Sequence, residues 1–269
     1  MNLSNITPLV LTFNEGANIQ RCLKRLRWAS QVLVVDSGST DRTLGFCREF
    51  PNVEVIHRSF DNHTAQWNHG LDQVATPWVL TLDADYMIND DFTRELQNLG
   101  SHGSAKAWAG GFHYVMWGKR LRGTLYPPRV ILFETKSFRY EQDGHTQLLK
   151  IKGPIGNLQS RIDHDDRKPL ARWLDSQRKY AALEAEKLSM EVSYTGTADR
   201  LRKMIWPAAP AAFLFTLIVK GLVLDGWPGL YYVLQRTYAE LLLSLELLER
   251  KLSRSVAVVT IKPTGKELR

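Results

Sequence analysis

Short apolar runs alternate with helix-period segments through the first hundred residues. Pro8 to Phe13 (PLVLTF), Val32 to Asp36 (VLVVD), Val53 to His57 and Trp78 to Asp83 read as strands. Between them Asn18 to Arg27, Asp41 to Phe50 and Thr64 to Val74 carry helical periodicity. Short strands rich in Val, Leu and Ile, separated by helices, predict a parallel sheet covered on both faces, hence an open α/β domain. Such sheets bind ligands in the crevice beyond the carboxyl ends of their strands. Three polar clusters fall at those ends: Thr12, Asn14 and Glu15 after the first strand, Asp36, Ser37 and onward to Asp41 after the second, and Asp83 to Asp85 after the fourth.

The pattern changes after about residue 165, which predicts an α/β domain over 1–165 and a helical region over 166–269. Pro169 suits the first position of a helix, and PLARWLDSQRKYAALEAEKL places Leu170, Trp173, Leu174, Tyr180 and Ala181 on an apolar side. Between Lys203 and Lys220 lies a run of 16 residues without charge, interrupted by Pro207 and Pro210. A spanning helix needs about 20 apolar residues, so an interfacial or re-entrant helix fits this run better than a simple crossing, and a core helix fits its length as well. Arg200, Arg202 and Lys203 precede it, and Trp206 and Trp227 flank it, as expected where basic groups meet anionic headgroups and indoles sit at the boundary. A final helix, Leu230 to Lys251, aligns Leu230, Leu234, Tyr238, Leu241, Leu245 and Leu248 in one stripe. That stripe suits packing on a neighbouring helix, formation of a homo-oligomer, or contact with a bilayer.

A chain of 269 residues with 44% hydrophobic content can bury a substantial core. Its formal charge of +7 favours an anionic partner: nucleic acid, acidic lipid or a phosphorylated substrate. The basic residues are not interleaved with aromatics on the predicted strands, which argues against an RNA-binding sheet and against nucleic acid as the partner. Cys22 and Cys47 have neither CxxC spacing nor a histidine partner, so no disulfide framework or zinc site is expected. The amino terminus lacks the pattern of a secretory signal, which places the first domain in the cytoplasm as an expectation.

The strand-end clusters carry the candidate chemistry. In DSGSTDRT, Ser39 or Thr40 can cap the next helix and Asp41 can complement its dipole. Asp36 precedes the cap, where a carboxylate can accept hydrogen bonds from a ribose or base, and Gly38 allows a tight turn beside a ligand. Neither GxGxxG nor a Walker loop occurs. If the chain stays extended through LTLDADYMI, Asp83 and Asp85 share a face. Two like charges there repel unless a cation sits beside them, and an incomplete oxygen shell suits Mg²⁺ or Mn²⁺ finished by water and substrate phosphates.

TFNEGANIQRCL, VVDSGSTDRT, AQWNHGL and LTLDADYMI, in this order and spacing, resemble glycosyltransferase family 2, whose members adopt the GT-A fold. YPPRVILF, DGHTQLL, IDHDDRKPL and LDGWPG are similar to the branch of lipopolysaccharide-core and related envelope-glycan transferases. The resemblance implies inverting transfer from a nucleoside-diphosphate sugar, a UDP-sugar first among them. By motif, Asp36 would contact the uracil or ribose, Thr12 and Glu15 would line the nucleotide pocket, and Asp83 with Asp85 would hold ribose and metal. Asn14, Ser37 and Ala84 lie inside the same motifs, and Gln66, Trp67, Asn68 and Gly70 match an ARNxG-like segment.

Inverting transfer also needs a general base for the acceptor hydroxyl, on the side of the sugar away from the metal. YEQDGHTQ supplies Asp143, with Glu141 as the alternative; the same Asp-Gly pair also reads as an ordinary turn. His145 and His164 are candidates to complete the metal shell or touch the diphosphate, although a lone histidine is more often structural. Arg129 faces acceptor or donor phosphate, or forms a surface ion pair. The acceptor expected is a lipid-linked saccharide or lipid A core at the cytoplasmic face of the inner or plasma membrane. The alternatives are transfer to polyprenyl phosphate and a non-catalytic nucleotide-sugar or glycan-binding protein.

Overall fold

The computed structural model describes residues 1–99, 105–143, 146–190 and 196–261, with no side chains for 143, 146 and 255–261. The chain divides into two compact units, Met1–Pro169 and Leu170–Arg269.

In the first unit, β1 (Ile6–Thr12), α1 (Ile19–Arg25), β2 (Val32–Asp36), α2 (Thr43–Cys47), β3 (Val53–His57), α3 (His63–Gln73) and β4 (Trp78–Asp83) follow the predicted alternation. α2 begins two residues later than its periodicity suggests, because the Asp41 carboxylate accepts from the Thr43 backbone N–H and closes a turn first. Beyond β4 come β5 (Tyr86–Met87), α4 (Asp90–Asn98), β6 (Ala107–Gly110), β7 (Phe112–Met116), β8 (Lys119–Arg120) and β9 (Arg129–Glu134). The unit is completed by β10 (Tyr140–Asp143), β11 (Thr146–Leu149), β12 (Ile155–Asn157) and β13 (Ile162–His164).

The main sheet has the order β12-β6-β9-β4-β1-β2-β3. β1 pairs in parallel with β2 and β4, and β2 with β3, while β9 runs antiparallel to β4 and β6. Alternate side chains of β1 feed two cores, as the pleat requires. Val10 joins Ile19, Leu23, Phe92 and Leu96 under α1 and α4, whereas Leu9 joins Trp67 and Leu71 of α3. Every residue of β2 is buried, the condition of a central strand covered on both faces. Cys22 and Cys47 are buried in the first of these cores. The register sets Thr12 beside Asp36 and Leu11 beside Asp83, so the carboxyl ends of β1, β2 and β4 stand level.

One expectation fails at this edge. The chain is not extended through Asp85: β4 ends at Asp83, and Ala84 and Asp85 form a turn. β5 then pairs antiparallel with β13, and the Asp85 carbonyl accepts from the Asp165 backbone N–H at 3.0 Å. The chain leaves one sheet for another between the two aspartates, so strand alternation does not govern their relative direction.

The second unit contains α5 (Leu170–Met190), α6 (Thr197–Lys203), α7 (Ala208–Leu214) and α8 (Gly226–Ile261). Its core joins Ala181, Ala185 and Leu188 of α5 to Leu243 and Leu247 of α8. Arg202 clamps Glu240 with contacts of 2.6 and 3.0 Å, and the Ser244 hydroxyl donates to the Ile205 carbonyl. Leu170, expected on the apolar side of α5, is exposed, because the packing begins further along the helix. The predicted stripe of α8 is also largely outside: Leu234, Tyr238, Leu241, Leu245 and Leu248 are exposed, while Tyr232, Val233, Leu243 and Leu247 are buried. This helix has an apolar side in its own core and a second one outside it.

Gly229 sits where the first turn of α8 meets the preceding loop. A Cβ there would stand 2.2 Å from the Leu222 carbonyl oxygen, a backbone atom that cannot swing aside. Gly229→Ala is therefore expected to destabilise the helical unit by about 1–3 kcal/mol, the usual range for overpacking. The reading is a lower urea midpoint of the full chain, followed by far-UV circular dichroism.

Candidate active site

The level strand ends are tied together by short polar side chains. Asp36, 1% exposed, accepts at one oxygen from the Thr12 hydroxyl (3.0 Å) and the Ser39 hydroxyl (2.5 Å). Its other oxygen accepts from the backbone N–H groups of Gly38 and Ser39, both at 2.9 Å. About four acceptor positions exist on a carboxylate, and the chain's own donors take them all. Asp36 thereby holds the loop that carries Gly38 at φ +92°. Asn14, at φ +54°, works from the other side: its side-chain oxygen accepts from the Thr40 N–H at 2.7 Å, and its own N–H donates to Ser39 Oγ.

Gln66 and Asn68 have comparable duties. Gln66 is buried, donates to Ser37 Oγ at 2.7 Å and to the Arg58 carbonyl, and accepts from the Arg58 guanidinium. Asn68 exchanges two hydrogen bonds with the Tyr140 backbone, at 3.0 and 2.9 Å, and so fixes the β10–β11 ribbon on α3. Trp67, in the position between them, is buried against Tyr140 with ring centroids 5.6 Å apart.

The charged centre lies at the β4–β5 turn. Asp85 is buried, and its Oδ2 is 3.3 Å from His164 Nε2 at the end of β13. Burial raises the Asp85 carboxyl, but the charge and hydrogen bond of His164 and the charge of Lys168 outweigh it and hold the group below its ordinary range. Burial likewise opposes charging of His164, and Asp85, followed by Asp83 and Asp166, lifts it above the ordinary imidazole value. The imidazole is boxed by Tyr114, Tyr126 and Tyr86, with ring centroids at 4.6, 4.8 and 5.3 Å. Asp85 Oδ1 and His164 Nδ1 are buried without a protein partner.

Lys168 and Glu15 form the second half of this centre. Lys168 Nζ lies 2.8 Å from Glu15 Oε1 and 3.5 Å from Asp166 Oδ2. Burial disfavours the ammonium, yet Asp85, Glu15 and Asp166 raise its pKa above the ordinary lysine value. Glu15 is raised, first by burial and also by Asp85, although Lys168 and Asn18 pull the other way. Asn18 holds the approach: its amide donates to Glu15 and Asp166, and its oxygen accepts from Arg21 and from the Arg167 backbone. Asp165 accepts from Arg21 at 2.5 Å, so the segment after β13 is fastened across the start of α1.

Arg129, at the start of β9, stacks over Tyr126 at 4.8 Å, and the hydroxyl of Tyr126 meets that of Tyr86. Burial works against the Arg129 charge, but Tyr126, Tyr86 and Asp83 hold its pKa above the ordinary value. Arg129 thus sits against Tyr126, with Asp83 among the groups that favour its charge. Ala84, between the two aspartates, is buried in the core under α1 and α4.

The structure thus gathers Glu15, Asp85 and His164 around Lys168, and joins Thr12, Asn14, Asp36, Ser37, Gln66 and Asn68 through hydrogen bonds that tie the neighbouring loops. Glu141 is exposed and pairs with Lys150 at 2.5 Å across the ribbon. The Asp143 backbone ends β10 opposite Thr146, while its side chain and all of His145 lie outside the described residues. Lys168, Asn18 and Tyr126 were not singled out from sequence. The Lys in IDHDDRKPL was visible beside three acids, a signal that a buried counter-charge was needed somewhere nearby.

Residues 9–157 match the Glycosyl transferase family 2 family, more than half of the chain. The protein belongs to that family. It is 23% identical over 238 residues to the lipopolysaccharide core biosynthesis glycosyltransferase LpsC of Rhizobium meliloti (strain 1021), covering 83% of this chain and 84% of that one. Among solved structures it is similar to a mannosyltransferase of Pyrobaculum calidifontis in complex with GDP-Man and Mn²⁺. That likeness covers 92% of this chain and 87% of the other at 13% identity, with a TM-score of 0.51. S. aureus TarS 1-349 in complex with UDP is 14% identical, covers 93% of this chain and 91% of its own, and has a TM-score of 0.50. The fold is GT-A, with a carboxyl-terminal helical region.

The Asp85–His164 pair gives a defined pH response. Asp85 is held low, so its contribution is present above the ordinary carboxylate value of 3.8 and lost as pH falls through the depressed one. His164 is held high, so its contribution is complete below the ordinary value of 6.5 and fades as pH rises through the raised one. With EDTA present, the stability difference between the wild type and His164→Gln should peak between these two ordinary values, 3.8 and 6.5, and shrink on either side. Denaturation midpoints across pH measure it; a difference independent of pH would count against the ion pair.

Proposed function

We propose that this protein transfers a sugar from a nucleoside-diphosphate sugar, with inversion, to a lipid-linked or lipopolysaccharide-type saccharide at the cytoplasmic face of a membrane. The observation that carries the reading is the buried Asp85–His164 pair, set at the level carboxyl ends of the parallel strands, each partner with one buried polar atom unmatched by protein. The similarity to LpsC along most of both chains supports the acceptor class.

The donor set fits a divalent cation in part. The Asp85 carboxylate, one oxygen of which lacks a protein partner, is a ligand type that Mg²⁺ or Mn²⁺ accepts; His164 would add a nitrogen only as the neutral imidazole, released from its pairing with Asp85, and the remaining positions suit water and phosphate oxygens. Among the described residues no three His, Cys, Asp or Glu side chains form a complete metal cluster, so the substrate's phosphates would have to contribute. Asp85 and His164 would hold the ion, with Asp83 at the adjoining strand end. Such an ion, when bound, neutralises charge developing on the departing diphosphate.

The chain's own groups supply the rest. Lys168 places a fixed positive charge beside Asp85, kept protonated by three carboxylates, and it serves the same diphosphate. Arg129 adds a second permanent cation near Asp83. The boxed tyrosines and His164 exclude water from one wall, which strengthens these charges. Asp143 takes the proton of the acceptor hydroxyl as the new glycosidic bond forms, with inversion at the anomeric carbon.

The test is nucleoside-diphosphate release from a panel of UDP- and GDP-sugars with membrane extract as acceptor. Turnover should stop in EDTA and return with Mn²⁺, fall about a hundredfold or more in Lys168→Met, as for loss of one preorganised donor, and be lost in Asp85→Asn. Donor binding should survive in Asp143→Asn while turnover does not. Donor binding without turnover by the wild type would favour the binding-protein reading.

A further inference from the structure

We propose that the turn between α7 and α8 is a membrane-dipping tip, covered by the hydrocarbon of a single leaflet of an anionic bilayer. The proposal concerns the second unit alone and does not depend on the transfer chemistry. α7 continues through a π-helical turn, Phe215–Val219, and breaks at Gly221, φ +70°. A short turn, Leu222–Asp225, and Gly226, φ +65°, then lead into α8, whose axis is bent 68° from that of Ala208–Val219.

The tip exposes large apolar side chains on both arms of the bend. Ile218, Val219, Val223 and Leu224 are 63%, 69%, 59% and 66% exposed, and Trp227 is 83% exposed. Residues facing outward from both arms cannot all be covered by one flat helix–helix contact, whereas a fluid acyl layer conforms to them. Buried Thr216, bonded to the Ala212 and Phe213 carbonyls, closes the inner side of the tip without offering a polar group outward.

Ala208–Val219 and Leu222–Arg254 have the length and composition of a span only as a pair, and that pair is bent by 68°, the shape of a re-entrant dip. The arm Ala208–Val219 contains 12 residues and spans about 18 Å at 1.5 Å per residue, well short of the ~30 Å hydrocarbon core. No single helix among the described residues is long and apolar enough to cross. Both margins carry indoles, Trp206 and Trp227, the residues suited to the headgroup boundary.

Charge selects the lipid. From Arg200 to Gln235 the sole acidic residue is Asp225, which is buried, while Arg200, Arg202, Lys203 and Lys220 are basic. Arg202 is engaged by Glu240, and the Lys220 ammonium lies 5.5 Å from the centroid of the Phe215 ring. The segment thus presents net positive charge around an apolar tip, complementary to anionic headgroups.

The test uses the full chain with vesicles of phosphatidylcholine alone or with phosphatidylglycerol. Flotation is expected with the anionic vesicles, weakened by high salt, and reduced at least tenfold in Ile218→Asp/Leu224→Asp with an unchanged circular dichroism spectrum. Lipids brominated near the headgroup should quench indole fluorescence more than lipids brominated near the chain ends, and the difference should diminish in Trp227→Phe. Absence of flotation, or flotation unaffected by the double substitution, overturns the proposal. Equally decisive against it is a chain that is dimeric without lipid and becomes monomeric in the same variant, because the tip would then be a contact between two copies. Strongest quenching from the chain ends would overturn the single-leaflet depth.

Discussion

Four ionisable side chains, Asp85, His164, Glu15 and Lys168, are largely removed from water at one edge of the sheet. Each is tolerable only because the others are there: an isolated buried charge neutralises itself or destabilises the fold. Lys168 serves Glu15 directly and Asp85 through its field, and His164 serves Asp85 directly. The two cations come from the end of β13 and the segment that follows it, and the two acids come from the turns that follow β1 and β4. The segment Asp163 to Lys168 is therefore as much a part of the site as the strands, and its seat on Asn18 and Arg21 is a condition for the charges to meet.

That dependence explains why some of the molecule is legible in sequence and some is not. VLVVD and its neighbours state their burial by composition, and parallel order follows from the alternation with helices. The level strand ends follow too, so the clusters at Thr12, Asp36 and Asp83 could be placed at one edge without coordinates. Lys168 could not, because its partner Glu15 lies 153 positions away and no local period relates them. The turn at Ala84 escaped for a similar reason: LTLDADYMI is locally a good strand, and the bend arises because β5 finds β13 far along the chain.

The hydrogen bonds by which Asp36, Asn14 and Gln66 hold the loop share a cause. Where several parallel strands end together, the backbone N–H groups of the following turns lose their sheet partners and must be satisfied. Asp36 and Asn14 do this for the turn spanning Gly38 to Asp41, and Gln66 ties the same region to α3. Motif matching identifies that such residues matter, but it does not separate those that shape a pocket from those that face it. Accounting for each acceptor adds a distinction: Asp36 meets four internal donors, while Asp85 keeps one buried oxygen without a protein partner.

The same accounting applied to apolar surface separates the two sides of α8. Tyr232, Val233, Leu243 and Leu247 satisfy their need for burial inside the helical unit, so the outward Leu234, Leu241 and Leu245 are surplus to its core. Periodicity detects an apolar stripe but is silent about which of two stripes faces inward when a helix carries both. Here the inward one is chosen by small residues on α5, Ala181 and Ala185, which let α8 approach closely and seat Leu243 and Leu247. The bulkier leucines, lacking such a facing surface, are left outside, and with them the unit retains more exposed hydrocarbon than its own packing can account for.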